Sequence, residues 1–370
     1  MSWYWYVIGA LGLALLMVVH EAGHFLMARA FGMRVTRFSI GIGPTFFKIV
    51  PEDGYYWFTT AANKVKVRLF RHIPEKHGPT VFQVAMIPVL AYVQIAGMNP
   101  FEEIDPEDRG SYANAGVIGR IFTIFAGPLA NYLFASVLFF AAVMYSGREF
   151  RSTVIDPLPD LPAAKAGLLK DDKIVEIDHT PIQEFGQLHD VVASHPGQPL
   201  TIVVERRGER ITFTVTPKND GGGGKIGVQS IGPSQRVPVS FKEAVAIALK
   251  APVLTVRDMV VGLSLYITGK ADTELSGPVG MMKQTAKAAK DGLGDLLGLL
   301  GVLSAYLGAF NLIPFPALDG GRLMFLAYEA TTRKRANARI EAQIHAIGLL
   351  MMLSLVAYVT VFKDIRLFKG

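Results

Sequence analysis

Residues 18–25 read VVHEAGHF, and they sit in a stretch that is otherwise without charge. From Met1 to Ala28 there is no Lys, Arg or Asp, Glu21 is the only acid, and two of the chain's eight histidines, His20 and His24, flank it. A bilayer core takes about 20 apolar residues as helix, and residues 3–31 are long enough to cross one. An ionisable residue at the centre of such a helix costs about 2.5–3.5 kcal/mol on insertion scales, so three polar side chains within five positions need a reason. Positions i and i+4 of a helix share a face. Two imidazoles there can bind one metal ion, and the adjacent Glu21 can take a proton from water at that ion. Ala22 and Gly23 are small enough to admit another backbone. A proton relay, hydrogen bonding between helices and a chance match are the competing readings of the same pattern.

Only 18% of the chain is charged, below the roughly 25% of soluble domains. Three further stretches read as spans: 121–145, 296–318 and 344–362. A fifth apolar stretch, 80–98, carries Pro88 at its centre, where a helix would break, and its Val and Ile residues favour strand. Residues 32–79 are rich in Gly, Pro and aromatics, with short β-like runs (YYWFTT, KVKVRLF). They read as strands against the membrane or a hairpin in a protein-lined cavity, because irregular backbone at membrane depth must be satisfied by protein or water. Residues 240–268 are apolar but interrupted by Lys250, Pro252, Arg257 and Asp258, which suits helices on the membrane surface.

Between residues 147 and 234 the composition shifts to prolines, charged pairs and alternating runs such as DKIVEID, LTIVVERRG and RITFTVTPK. These read as the strands of a soluble α+β domain with a hairpin turn at ERRGER. The four glycines at 221–224 are a loop tip or a linker.

A catalytic zinc takes three protein ligands and keeps one position open. Asp319, in NLIPFPALDGGR (311–322), closes the third span at a depth similar to that of His20 and His24, which lie about 25–32 Å along the first. The spans must run parallel for these side chains to meet, so a single span, 121–145, separates them, and 80–98 cannot cross as well. LDGGR as a plain turn or helix cap is the alternative for Asp319. Arg322, just beyond, could pair with Asp319 or with lipid headgroups. The loop after the third span carries Arg322, Arg333, Lys334, Arg335 and Arg339, which by the positive-inside rule is cytoplasmic. The N-terminus and the soluble domain are then extracytoplasmic and the zinc lies near the cytoplasmic side. The net charge of +6 comes with no basic, aromatic-interleaved patch, so no nucleic-acid partner is expected. The absence of cysteine excludes disulfides, thiolate zinc sites and a cysteine nucleophile.

Taken together, HEAGH (20–24), GPLAN (127–131), SGPVG (276–280) and NLIPFPALDGGR (311–322) resemble the site-2 proteases, the intramembrane zinc metalloproteases, and their order is similar to that of the bacterial regulator-of-sigma-E subgroup. PAAKAGLLKDDKIVEIDHTPI (162–182) resembles a circularly permuted bacterial PDZ domain. The resemblance implies Zn²⁺ held by His20, His24 and Asp319, with Glu21 as general base. It implies substrate contact by Asn131 and by Asn311 and Pro314. For Asn131 a bond between helices, and for Asn311 and Pro314 a simple kink, are the alternatives. It also implies a re-entrant β-hairpin with an edge strand that holds an unwound substrate, although Leu90-Ala91 stands before Tyr92 where the subgroup has two glycines.

The expected fold is a polytopic α-helical membrane protein of about four transmembrane helices, with a membrane-associated β region and an inserted α+β PDZ domain. Its parts are a first span at 1–31, a β region on the cytoplasmic side at 32–116, a second span at 117–146 and the PDZ domain at 147–235. Membrane-surface helices at 236–292, a third span at 293–321, a cytoplasmic loop at 322–342 and a fourth span at 343–370 complete it. His345, in the fourth span, reads as packed against a neighbouring helix. The expected function is intramembrane proteolysis of single-span substrates shortened beforehand by another protease, such as anti-sigma factors, or of remnant signal peptides, in the bacterial inner membrane. The PDZ domain would gate the site or take a peptide in its groove. The alternatives are a membrane-anchored PDZ adaptor without protease activity, and a transporter, for which no inverted repeat is visible.

Overall fold

The computed structural model describes residues 2–52, 55–60, 64–67, 80–99, 102, 105–219, 223–231, 235–268 and 277–364. His72, His77, residues 221–222 of the glycine run and Ser276 of SGPVG lie outside them. The chain divides into two compact units, Met1–Ala142 with Lys242–Gly370, and Val143–Phe241.

The chain opens on helix α1 (Trp3–Ala30). Four strands follow: β1 (Val35–Glu52), β2 (Tyr55–Thr60), β3 (Lys64–Val67) and β4 (Val81–Ile95). Helix α2 (Val117–Ser146) comes next. The second unit adds β5 (Arg148–Phe150), β6 (Val154–Pro157), α3 (Pro162–Lys165), β7 (Asp172–Ile177), β8 (Thr180–Pro181), α4 (Phe185–Ala193), β9 (Leu200–Arg206) and β10 (Glu209–Val215). It ends with β11 (Lys218–Asn219), β12 (Gly224–Lys225), β13 (Val228–Ser230) and β14 (Gln235–Val237). Helices α5 (Phe241–Ile267), α6 (Pro278–Asp291), α7 (Leu293–Asn311), α8 (Asp319–Thr332) and α9 (Ala338–Val359) complete the chain.

Among the described residues, four helices are long and apolar enough to cross a membrane: Trp3–Ala30, Val117–Ser146, Leu293–Asn311 and Arg339–Phe362. Within the stretch 80–98, Val81–Ile95 form strand β4, in line with Pro88 excluding a helix there and the β-branched residues favouring strand. The third span is shorter than expected. Its helix ends at Asn311, and Asp319 opens the separate helix α8. Pro314 and Pro316 lack the amide that would extend the helix, and Ala317 takes a positive φ of 77°, so residues 312–318 form a connector. Part of the stretch expected as a cytoplasmic loop, 322–342, is accordingly the rest of α8.

In the first unit the sheet order is β3-β2-β1-β4. β1 and β4 both bend, and the bends sit at Gly41 and Gly43 (φ 91° and 94°) in β1. Phe38 therefore pairs with Val93 on one side and Phe82 on the other, and Phe25 of α1 meets both Phe38 and Phe82 edge-on. Among the described residues the limb at 91–95 has one strand neighbour, β1, and its Val93 N–H faces α1. Leu16, Leu138 and Leu300 lock α1, α2 and α7 together.

The second unit is a six-stranded sheet ordered β10-β9-β7-β6-β13 with β8 beside β7. Its core is aliphatic: Ile155, Ile174, Ile177, Leu188, Leu200, Ile202, Val204 and Val215 are all buried. Alternation along LTIVVER puts Leu200, Ile202 and Val204 inside. Arg207 and Gly208, both at positive φ, form the tight hairpin turn that ERRGER signals.

Candidate metal centre

His20 and His24 lie one turn apart on α1 and both rings are buried. Their Nε2 atoms are 3.2 Å apart. Asp319 Oδ2 lies 3.1 Å from His20 Nε2 and 3.2 Å from His24 Nε2. The three donor atoms thus form a near-equilateral triangle. For zinc bonds of about 2.0–2.2 Å, the edges of a tetrahedron are about 3.3–3.6 Å, so the triangle is close to the base of one.

The chemistry around the triangle agrees. His24 Nδ1 donates to the carbonyl of Thr123 at 2.8 Å, which leaves its Nε2 lone pair free for a cation. The Asn131 amide lies 3.1 Å from His20 Nδ1, and Asn131 is fully buried. Asp319 Oδ2 is buried without a hydrogen-bond donor. A carboxylate oxygen and two imidazole nitrogens facing one point, with the far sides of both rings engaged, fit a divalent cation.

Glycines make the approach possible. A Cβ on Gly23 would collide with the carbonyl of Ala126, and one on Gly127 would strike the His24 ring. Gly23 of HEAGH therefore lies against Ala126 and Ala130, and Gly127 of GPLAN against the His24 ring. Pro128 follows inside α2, and Gly308 of α7 packs against its carbonyl. On the Asp319 side, a Cβ on Gly320 would strike the carbonyls of Leu312 and Ile313, and one on Gly321 that of Phe315. The two glycines of LDGG let α8 start against its own connector.

Glu21 is held from the sheet. Its Oε2 accepts the backbone N–H of Val93 at 3.0 Å, so the acid beside the two histidines is tied to the open edge of β4. Farther along, Arg120 of α2 makes a bidentate ion pair with Glu329 of α8, at 3.0 and 2.5 Å. Burial pushes the Glu329 carboxyl up, but the Arg120 guanidinium outweighs it and holds the group below the usual carboxylate range. This pair fixes α8, and hence Asp319, against α2.

His20, Glu21, His24, Asn131 and Asp319 come together in one place. Asn311 ends α7 with its side-chain amide donating to Leu307 of the same helix, 2.9 Å away. Pro314 lines an apolar cavity of about 510 Å³ with Pro316, Met324, Phe325 and Tyr328. Neither bonds to the His–His–Asp group. Arg322 makes no ion pair among the described residues; it lines a cavity of about 370 Å³ with Tyr112, Glu341 and His345. Three contributors carried no sequence signal at their own positions: the Thr123 carbonyl, the Val93 amide and His345, whose Nδ1 accepts the N–H of Ala317 at 2.9 Å.

The sequence matches the family described as Peptidase family M50 over residues 8–63 and 54–355. It is 31% identical to the zinc metalloprotease RasP of Geobacillus kaustophilus, with 95% of this chain and 96% of that protein covered. It is 29% identical to a putative zinc metalloprotease of Clostridium perfringens (97% and 98% covered). A putative zinc metalloprotease of Fusobacterium nucleatum is 30% identical (98% and 99% covered).

Proposed function

Because the chain belongs to peptidase family M50, the site-2 family of zinc metalloproteases, we propose that its His–His–Asp triangle is the catalytic zinc site and that it cuts peptide bonds within or beside the transmembrane segments of single-span proteins. The protein is an integral membrane metalloprotease. The observation that carries the reading is the triangle itself: three buried donor atoms within 3.2 Å of one another, with a general base at the neighbouring position.

Zinc held by His20 Nε2, His24 Nε2 and Asp319 Oδ2 would supply Lewis acidity, lowering the pKa of water and polarising the scissile carbonyl. Glu21 takes the proton of the attacking water and returns it to the leaving amine nitrogen. The Val93 amide fixes one carboxylate oxygen of Glu21 and so aims the other. Asn131 orients His20: its Nδ2 lies 3.1 Å from Nδ1 while its Oδ1 is unpartnered among the described residues, and flipping the amide lets Oδ1 accept the Nδ1–H, so that Nε2 keeps its lone pair for the metal. This support is the role the geometry favours for Asn131. Asn311 and Pro314, at the end of α7 and in the connector, would contact substrate farther from the reacting bond.

A helical substrate hides its peptide bonds in its own hydrogen bonds, so it must be unwound before water can attack. The open edge at residues 91–95, beside Glu21, suits addition of an extended substrate strand. The second unit reads as a PDZ domain that filters substrates sterically or takes a peptide in its groove. Lys and Arg bias puts the N-terminus and this domain outside a bacterial inner membrane and the zinc toward the cytoplasm. The substrates would be single-span proteins already shortened by another protease, such as anti-sigma factors, or remnant signal peptides.

The test is to incubate the protein in liposomes with a panel of single-span substrates, with and without a zinc chelator, and to map the cut. Cleavage inside or next to the substrate's span, abolished by chelator and restored by zinc, is expected. Cleavage that ignores the chelator, or none from a zinc-loaded preparation, would overturn the reading.

A further inference from the structure

The last span is the most peripheral part of the membrane unit. Only 6% of its apolar window lies inside the protein, against 22–39% for the other three. Yet it meets the connector before Asp319 at two points on one helix face. His345 Nδ1 accepts the Ala317 N–H at 2.9 Å. Three residues on, Gly348 lies so close to Pro316 that a Cβ there would be 2.6 Å from the Pro316 carbonyl oxygen and 2.7 Å from its carbon. Residues three apart share a helix face, so both contacts come from one strip of α9.

The contact falls where the backbone most needs it. Ala317 has φ 77°, a left-handed conformation that L-residues other than glycine, Asn and Asp rarely adopt. It stands two residues before Asp319, at the turn from which α8 departs. Because Nδ1 accepts, the ring's proton sits on Nε2, which is buried without a partner among the described residues; His345 lines the cavity it shares with Tyr112 and Arg322.

We propose that His345 and Gly348 form a clamp by which the last span sets the backbone at Ala317 and so holds Asp319 on the metal. His345 is a positioning residue: it touches neither the metal point nor the substrate path. The proposal rests on the zinc reading above, and its test separates the two.

Zinc affinity is measured by chelator competition on the full-length protein, and amide exchange of the 312–318 segment is followed by mass spectrometry on the metal-free protein. His345→Leu is expected to weaken zinc binding by about 10- to 100-fold, as loss of an outer partner does at other metal sites, and to speed exchange of that segment. His345→Asn places its oxygen near the position of Nδ1 and should keep both properties, whereas His345→Gln carries the acceptor one bond too far and should not. Ala317→Gly, which removes the left-handed penalty, should recover zinc affinity in the His345→Leu background. If His345→Leu does not fold, the Asn and Gln variants decide. Equal affinity and equal exchange in wild type and His345→Leu, or in the Asn and Gln variants, would overturn the clamp. A wild-type protein that binds no zinc overturns the metal reading instead, and the exchange data still test the clamp.

Discussion

Glu21 and Val93 are joined: the carboxylate of one accepts the backbone N–H of the other at 3.0 Å. The proposed general base, on a helix, is therefore aimed by a strand edge, and the bond uses a carbonyl-type oxygen that an amide also has. Glu21→Gln should keep the Val93 contact and the metal while losing the base. Zinc content should equal that of wild type, and cleavage should fall by about 10²–10⁴-fold, the span of general-base catalysis. Metal analysis and a cleavage assay on one preparation check both halves, and a mutant that turns over at the wild-type rate removes Glu21 from the mechanism.

Asn131 meets His20 from α2 with its amide 3.1 Å from Nδ1. Asn131→Ala should leave that ring free to turn and weaken zinc binding by about 10- to 100-fold, seen as release at lower chelator concentration. Asn131→Asp, which still accepts from Nδ1–H, should recover most of the affinity. Were Asn131 a substrate contact alone, both variants would bind zinc as wild type does and differ only in KM.

Gly127 leaves room for the His24 ring. Gly127→Ala should push the ring off the metal point and strain the α1–α2 contact, costing about 1–3 kcal/mol as overpacking does. The measurement is zinc stoichiometry together with thermal unfolding. Full zinc occupancy in this variant would show that α1 can shift away at little cost.

The second unit carries its own pH dependence. Asp172 is buried, and Arg206 meets both its oxygens at 2.7 and 2.8 Å. Burial pushes the carboxyl up, but the guanidinium and the Leu169 amide outweigh it and hold it below the usual range. A depressed folded pKa stabilises the fold above the unfolded value of about 3.9, and that stability is lost as pH falls through the folded pKa. Arg206→Leu should therefore lower the melting temperature at pH 7, and its deficit against wild type should shrink below about pH 4. A deficit that is constant with pH would assign the effect to lost packing of the Arg206 stem, whose guanidinium also lies over Phe213.

The candidate site stood out because each residue breaks a rule of its surroundings: His20, Glu21 and His24 are polar in an apolar helix, Asp319 is an acid at the close of an uncharged run, and the structure brings the two imidazoles and the Asp319 carboxylate within 3.2 Å of one another. Strand β4 was legible from Pro88 and its valines. The end of the third span was not, because residues 312–318 are as apolar as the helix before them, and hydropathy does not register a change of backbone. The two prolines were the available signal, and depth along the helix was allowed to outweigh them. Strand β1 was harder, since it runs through Pro44 and two glycines, Gly41 and Gly43, and owes its shape to pairing with both limbs of β4. His345 packs on Phe325 of the neighbouring helix α8, ring centroids 5.8 Å apart, as its reading in an apolar span expects; its further bond to the Ala317 amide, 28 residues away, is one that no side chain in the sequence announces.

The clamp on Ala317 also bears on how the protease is made. His20, His24 and Asp319 all leave the ribosome before His345 does, so under the proposed clamp Asp319 would be set in place only once that last helix has been made and packed. A nascent chain holding every ligand would then be inert, and the hazard of a protease active among half-inserted membrane proteins would be contained by the order of synthesis.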